Sequence, residues 1–168
     1  MTTHLENMNS RKKQNWETPI DQFMEWCNRL GLSPVIDVCA TKANTKCAKY
    51  FDKRSNGLKK QWTEPWFMNP PYNEVAVWVR YAWNQFKEYG QDGLILVFNK
   101  TETKWYHEFV WDQSKMKKRP NVEVYPQKGR ITFLENGTLP ENPAPYGSVW
   151  IVFSKTKLRE RLLRQCGL

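Results

Sequence analysis

The sequence predicts an α/β fold in which a mostly parallel sheet ends in an antiparallel C-terminal hairpin and is flanked by helices. Early in the chain, short apolar strand patterns alternate with amphipathic helix patterns, which is typical of a parallel sheet with crossover helices. Late in the chain, strand patterns follow one another without a crossover helix, which favours antiparallel pairing.

Composition narrows the class of protein. The chain has 168 residues, a net charge of +9 and nine tryptophans, seven tyrosines and eight phenylalanines. A basic and aromatic-rich chain favours nucleic acid as the partner, although a solvated basic surface is the alternative. The longest apolar run is too short for a membrane span, and no signal peptide opens the chain. Four cysteines without a CxxC pair predict no metal site. We therefore expect a cytoplasmic protein with reduced thiols.

The first elements are a flexible basic arm at 1–15, a helix and a strand, and residues 16–168 are expected to form one domain. Thr18 is predicted to be the N-cap of the helix, Pro19 its first residue and Gly31 its C-cap. The apolar stretch PVIDVCA then predicts a buried strand that ends near Asp37.

The middle of the chain repeats this order. WFM at 66–68 predicts a strand that runs into the corner NPPY, and Asn73 is predicted to cap the next helix. That helix has an apolar face and ends at Gly90. GLILVF at 93–98 predicts a strand buried on both faces.

The last third combines one helix with several strands. A helix is predicted from Trp105 to about Met116, and a short amphipathic helix is predicted near the C-terminus. The predicted strands lie at 122–125, 130–134 and 148–153.

Chemistry is expected at the carboxyl ends of the parallel strands, where α/β sheets bind ligands. Asn69 and the carbonyl of Pro70 are neutral hydrogen-bond acceptors, and Pro70 and Pro71 fix their geometry. Such acceptors suit the N–H groups of a ring-bound amine, and Tyr72 offers a ring on which a flipped base can stack. A rigid strand-to-helix turn without function is the alternative.

Other candidate residues are acids and bases. Asp37 is predicted to bind a cofactor or to cap the next turn, and Asp52 to bind ribose hydroxyls or to be a solvated loop acid. Residues 99–121 form a candidate DNA-contacting insert. The candidate phosphate and DNA contacts are Lys104, Lys115, Lys117, Lys118, Arg119, Lys128 and Arg130.

With these motifs in order, the chain resembles the phage-type DNA N-6-adenine methyltransferase (Dam-like) family. The likeness covers roughly residues 14–155. The motifs that carry it are WETP at 16–19, IDVCAT at 36–41, KCAKYF at 46–51, NGLKKQW at 56–62, NPPY at 69–72, TKWYH at 103–107, GRITF at 129–133 and APYGSVWIVF at 144–153.

The resemblance implies a Rossmann-like S-adenosylmethionine-dependent methyltransferase sheet and methylation of adenine N6 in double-stranded DNA, without a metal. Asn69, Pro70, Pro71 and Tyr72 match the catalytic motif. The implied cofactor-side residues are Trp16, Thr18, Pro19 and Asp37. Because DVCATKAN lacks the Gly-rich loop of many methyltransferases, backbone groups of Cys39 and Ala40 are expected to hold the methionine end of the cofactor.

Two other functions compete with this one. The same motif serves methyltransferases that act on RNA or on protein glutamine, and a degenerate fold could bind DNA without catalysis. The sequence leaves open whether the protein is a monomer or a homodimer and whether its role is to protect phage DNA from restriction. If the protein is phage-encoded, we expect it in the host cytoplasm.

Overall fold

The computed structural model describes residues 16–140 and 144–167, so the predicted arm at 1–15 lies outside the described residues. The helices are α1 (Ile20–Leu30), α2 (Val75–Tyr89), α3 (Lys104–Phe109) and α4 (Leu158–Gln165). The strands are β1 (Ile36–Asp37), β2 (Lys49–Tyr50), β3 (Trp66–Met68), β4 (Gly93–Phe98), β5 (Trp111–Asp112), β6 (Lys117–Lys118), β7 (Val122–Pro126) and β8 (Ser148–Phe153).

The central sheet has six strands in the order β2-β1-β3-β4-β8-β7. The first four are mutually parallel, whereas β8 is antiparallel to both β4 and β7. The direction of β7 is therefore the same as that of β4, and their carboxyl ends lie at the same edge of the sheet. This arrangement confirms the predicted mixed sheet with an antiparallel C-terminal hairpin.

Helices cover both faces of the sheet, and β4 is therefore buried along its whole length. Its alternate residues pack into two separate clusters. Ile95 and Val97 pack in one cluster with the apolar face of α2 and with α3. Leu94 and Leu96 pack in the other with the buried face of α1.

A buried ion pair connects α4 to the sheet at the edge away from the carboxyl ends of the parallel strands. Arg161 on α4 donates from Nη2 to the Glu123 carboxylate at 2.8 Å and from Nε to the Leu30 carbonyl at 2.8 Å. These bonds connect α4, β7 and the end of α1, and they satisfy a guanidinium that is only 2% exposed.

Two predicted elements are wrong. The helix predicted to reach Met116 ends at Phe109, and the two-stranded β5–β6 ribbon follows it. Asp112 lies in β5, after the end of α3, and its carboxylate caps the following 3-10 turn by accepting the backbone N–H groups of Ser114 and Lys115. Residues 130–134 are not a strand and form a single bridge from Leu134 to Glu17.

The predicted N-caps are also wrong. Helix α1 begins at Ile20 with Pro19 as its N-cap residue, and no side chain caps it. Helix α2 begins at Val75 with Glu74 at its N-cap, so Asn73 does not cap it. The glycine C-caps are confirmed, since Gly31 and Gly90 both adopt left-handed backbone angles.

Candidate active site

The site lies where the strand order reverses. From β1, the chain goes to β2 on one side and to β3 on the other, so a crevice opens at the carboxyl ends of β1 and β3. Asp37 is the last residue of β1, and Asn69 directly follows β3. The two residues that the sequence placed at strand ends therefore lie at neighbouring strand ends on one edge of the sheet.

The amide of Asn69 is held in one orientation. Its Nδ2 donates to the backbone carbonyl of Trp16 at 2.6 Å and to the hydroxyl of Thr18 at 3.0 Å. A carbonyl can only accept, so Trp16 determines which end of the amide is the nitrogen. Oδ1 is thereby directed to the opposite side, where the Tyr72 hydroxyl lies 3.3 Å away. One lone pair of Oδ1 remains for a substrate N–H group.

Thr18 consequently has a different local role from the predicted one. Its side chain is 2% exposed and binds the catalytic-motif asparagine instead of capping α1. The ring of Trp16 packs edge-on against Phe133 with 6.1 Å between the ring centroids. The cofactor-side role of Trp16, Thr18 and Pro19 stays a prediction.

The carbonyl groups of Pro70 and Pro71 differ in their hydrogen bonding. Pro71 accepts the backbone N–H of Glu74 at 2.9 Å, which closes the turn into α2. Among residues 16–140 and 144–167, none donates a hydrogen bond to the Pro70 carbonyl. This carbonyl keeps its acceptor capacity beside Asn69, as the sequence predicts.

Tyr72 is already stacked on another ring. Its plane lies 7° from that of Phe98 with 3.8 Å between centroids, and Phe133 meets it edge-on at 6.4 Å. One face of Tyr72 is therefore closed to a substrate base. Burial, and secondarily the nearby Cys39, raise the pKa of the Tyr72 hydroxyl, so it remains a proton donor to Asn69 at neutral pH.

Asp37 is a buried carboxylate at the carboxyl end of β1. It is 4% exposed and accepts the backbone N–H of Lys46 at 3.0 Å. Burial raises the pKa of Asp37 to about 6, against the lowering effect of hydrogen bonds from the backbone N–H groups of Lys46 and Cys39. An ionised carboxylate with little solvent favours a cationic ligand.

The loop after β1 does without glycine because of its hydrogen bonds. None of the described residues 38–48 has a left-handed backbone, so no position there requires glycine. The Thr41 N–H donates to Asn44 Oδ1 at 2.7 Å, and the Cys47 N–H donates to Thr45 Oγ1 at 3.2 Å. A glycine is needed instead at position 57, where the backbone packs against the residue after β1. A Cβ added to Gly57 would lie 2.1 Å from the Val38 carbonyl oxygen.

These bonds limit the backbone groups that were expected to hold a cofactor. The Ala40 N–H donates to the Phe51 carbonyl at 3.0 Å. It is therefore not available to a ligand in this conformation, whereas the predicted role of the Cys39 backbone and of the Ala40 carbonyl stays a prediction.

Asp52 follows β2 at the same edge of the sheet. Its Oδ1 accepts the backbone N–H of Ser55 at 2.7 Å and the Ser55 hydroxyl at 2.9 Å. These bonds lower the pKa of the half-buried Asp52 carboxyl. Its contact with a ribose stays a prediction.

The topology separates the predicted DNA contacts into two groups. Lys128 and Arg130 follow the carboxyl end of β7, which lies at the site edge, and both are exposed. Lys115, Lys117 and Lys118 precede β7, whose first residue shares a register line with Phe153 and Gly93 at the opposite edge. We therefore do not include this group in the site surface.

Arg119 and Lys104 differ from these lysines. The half-buried Arg119 donates from Nη2 to the His107 carbonyl at 3.0 Å, which joins the ribbon to α3. Lys104 is exposed at the start of α3, shortly after the site edge, and stays a candidate DNA contact.

Sequence reasoning missed the aromatic neighbours of Tyr72. Phe98 ends the buried strand β4, and Phe133 lies in a segment that was predicted as a strand. The signal was present, since both are large aromatic residues within or directly after motifs at the carboxyl edge. Pattern alone does not show which rings meet.

Two findings on the described residues concern other classes of site. No helix there is long and apolar enough to cross a membrane. No group of three or more His, Cys, Asp or Glu side chains there could hold a metal ion.

The switch point of this α/β sheet carries the Asn-Pro-Pro-Tyr corner, in which the Asn69 amide is held in one orientation. The model of the DNA N-6-adenine-methyltransferase (Dam) family matches residues 6–164. The chain therefore belongs to this family, whose members are adenine-specific DNA methyltransferases.

Two curated phage proteins named DNA N-6-adenine-methyltransferase are similar to the chain. The protein of Escherichia phage T1 is 24% identical over 132 residues, which cover 73% of this chain and 55% of that protein. The protein of Haemophilus phage HP1 (strain HP1c1) is 27% identical over 158 residues, which cover 85% of this chain and 87% of that protein. The match thus spans about half of the T1 protein and most of the HP1 protein.

The role of Thr18 can be tested with Thr18→Val, which removes the acceptor of Asn69 Nδ2 but keeps the shape. We expect the kcat for methyl transfer to fall about tenfold, the value of one hydrogen bond, while DNA binding is unchanged. Thr18→Ser should restore the rate. A Thr18→Val variant that loses cofactor affinity at unchanged kcat would instead favour the cofactor-side role.

The buried Asp37 predicts a pH-dependent stability. Because its folded pKa of about 6 lies above the ordinary 3.8, the folded state binds more protons than the unfolded state in that window. The free energy of unfolding should therefore fall as the pH rises from about 4 to about 6. Asp37→Asn should remove roughly 2–3 kcal/mol of this fall in urea titrations at the two ends of the window. The exposed Glu102→Gln is the control, and parallel curves for wild type and Asp37→Asn would contradict the assignment.

Proposed function

We propose that this protein is a site-specific DNA methyltransferase that transfers a methyl group from S-adenosylmethionine to N6 of an adenine flipped out of double-stranded DNA. The observation that carries the proposal is the fixed amide of Asn69, whose oxygen is presented to the crevice. Family membership and the names of the two phage relatives support the choice of adenine in DNA.

The sheet supports the Rossmann-like methyltransferase assignment. Its strand order places a switch point between β1 and β3, and only β8 of the six strands runs against the others. Binding across such a switch point is the general behaviour of doubly wound α/β sheets.

The residues of the crevice fit the cofactor. S-adenosylmethionine, when bound, supplies a methyl group activated by a positively charged sulfur, so no metal is required for activation. Asp37 would favour the positive charges of this molecule, since its buried carboxylate is a rim acid without a cationic side chain bonded to it among the described residues. Asp52 would contact the ribose hydroxyls through its second carboxylate oxygen.

The protein contributes position and hydrogen bonding to the transfer. The lone pair of adenine N6 is delocalised into the ring, which makes it a poor nucleophile. Asn69 Oδ1 and the Pro70 carbonyl accept the two N6–H bonds and favour a pyramidal nitrogen with its lone pair directed to the methyl carbon. As the new C–N bond forms, the S–C bond breaks, and the extra proton on N6 leaves to water.

The flipped adenine stacks on one face of the Tyr72 ring, and Phe98 packs against the other face. Phe98 fixes the plane of Tyr72, so the adenine contacts the open side of Tyr72 without first ordering a free side chain. Lys128, Arg130 and Lys104 bind phosphates beside this site. A role in protecting phage DNA from restriction is part of the proposal.

A label-transfer assay tests the proposed reaction. The protein is mixed with methyl-tritiated S-adenosylmethionine and unmethylated plasmid, and the DNA is digested to nucleosides. We expect the label in N6-methyladenine. Label only in added RNA or protein would show that DNA is not the acceptor. Cofactor binding without any transfer to DNA would also contradict the proposed acceptor.

Asn69→Ala should lower the kcat of that transfer by about 100-fold or more, with DNA affinity within a few-fold, because it removes an acceptor that acts at the reacting nitrogen. The control is Asn73→Ala, which changes an exposed asparagine four positions later. Equal activity of the Asn69 and Asn73 variants would eliminate the catalytic assignment.

The two basic groups can be separated by salt titration of DNA binding. Each phosphate contact contributes about one unit to the slope of log K against log salt. The double variant Lys128→Ala/Arg130→Ala should reduce that slope by about two. The matched variant Lys117→Ala/Lys118→Ala should leave it unchanged, and the reverse result would place the duplex at the opposite edge.

A further inference from the structure

Tyr146 stands out among the aromatic residues near the site because it is 49% exposed. Its hydroxyl has no hydrogen-bond partner among the described residues, so the side chain serves neither the core nor a polar network. The backbone beside it is well held, since the Asn99 N–H donates to the Gly147 carbonyl at 2.8 Å. A fixed backbone therefore presents a half-exposed ring at the carboxyl edge of the sheet.

The ring continues a row that begins at the candidate active site. Tyr72 stacks on Phe98 at 3.8 Å, and Phe98 lies 5.5 Å from Tyr146 between ring centroids. Asn69 bonds Tyr72, so the row leads from the acceptor amide outwards to solvent.

A cation accompanies the exposed ring. Lys100 Nζ lies over the face of Tyr146, 4.3 Å from the ring centroid. Lys100 forms no ion pair among the described residues, and it follows the carboxyl end of β4. A half-exposed aromatic ring beside an ammonium group without an ion pair combines the two features that bind a nucleotide, a stacking surface and a phosphate partner.

We infer that Tyr146 and Lys100 bind the nucleotide adjacent to the target adenine. Tyr146 stacks on its base, and Lys100 binds its phosphate. The target base itself must reach Asn69 and Pro70, and Tyr146 lies beyond Phe98 on the solvent side, so its contact is one nucleotide away. This inference rests on the proposed function for the identity of the substrate as DNA.

Steady-state kinetics of methyl transfer provide the first test. Tyr146→Ala should raise the KM for DNA about tenfold, since stacking of one base is worth about that much in affinity, while the KM for S-adenosylmethionine stays the same. Tyr146→Phe should remain within about twofold of wild type, because it retains the ring. Tyr89→Ala, at the far end of α2, is the matched control.

Equilibrium binding provides a test that does not depend on catalysis. The probe is a duplex that carries an adenine opposite an abasic site, and thermal melting checks that each variant is folded. Tyr146→Ala should bind this duplex more weakly than Tyr146→Phe. Lys100→Met should lower the salt slope by about one, with Lys87→Met as its control.

The outcomes separate the two proposals. If the wild type transfers no methyl group to DNA but Tyr146→Ala still weakens binding relative to Tyr146→Phe, the proposed reaction fails and the nucleotide contact stands. Wild-type KM and binding for Tyr146→Ala would overturn the contact. Equal losses in Tyr146→Ala and Tyr146→Phe would also overturn it, since the hydroxyl and not the ring would then be responsible.

Discussion

Parallel pairing of β3 with both β1 and β4 is the constraint on which the rest of the site depends. Ile36 lies opposite Trp66, and Trp66 lies opposite Gly93, so the three parallel strands begin in register with one another. Their carboxyl ends carry Asp37, Asn69 and Phe98 at one edge. No strand by itself contains a site, because each contributes a single side chain.

Arg161 and Asp37 are buried ionisable residues at opposite ends of the sheet, and they differ in how fully they are bonded. At the end away from the site, the Arg161 guanidinium bonds Glu123 and two backbone carbonyls, which is the full pairing that a buried charge requires. At the site end, Asp37 is buried without an ion pair among the described residues, and the Pro70 carbonyl keeps its acceptor capacity. Such groups lower stability and leave interactions for ligands, as expected of a functional edge.

The sequence pattern correctly predicted elements that have a continuous apolar run or a regular apolar face. It was wrong for a segment that alternates like a strand but whose backbone does not pair with the sheet. The six apolar residues of β4 and the periodic face of α2 have one possible environment, and both were predicted with nearly the observed bounds. Residues 130–134 alternate between buried and exposed as a strand would, because Ile131 and Phe133 cover the site edge. Alternation reports burial and not pairing, and this segment pairs only through Leu134.

The sequence by itself determined the family, the order of the motifs, the α/β class and the residues of the Asn-Pro-Pro-Tyr corner, because each depends on residues that are neighbours along the chain. Tertiary structure alone decided that Thr18 bonds Asn69, that the Ala40 N–H bonds Phe51, and that Lys128 and Lys117 lie at opposite edges of the sheet. The bond from Asn69 to the Trp16 carbonyl joins residues 53 positions apart. Contacts at such separations follow from strand order and direction, which no local pattern contains.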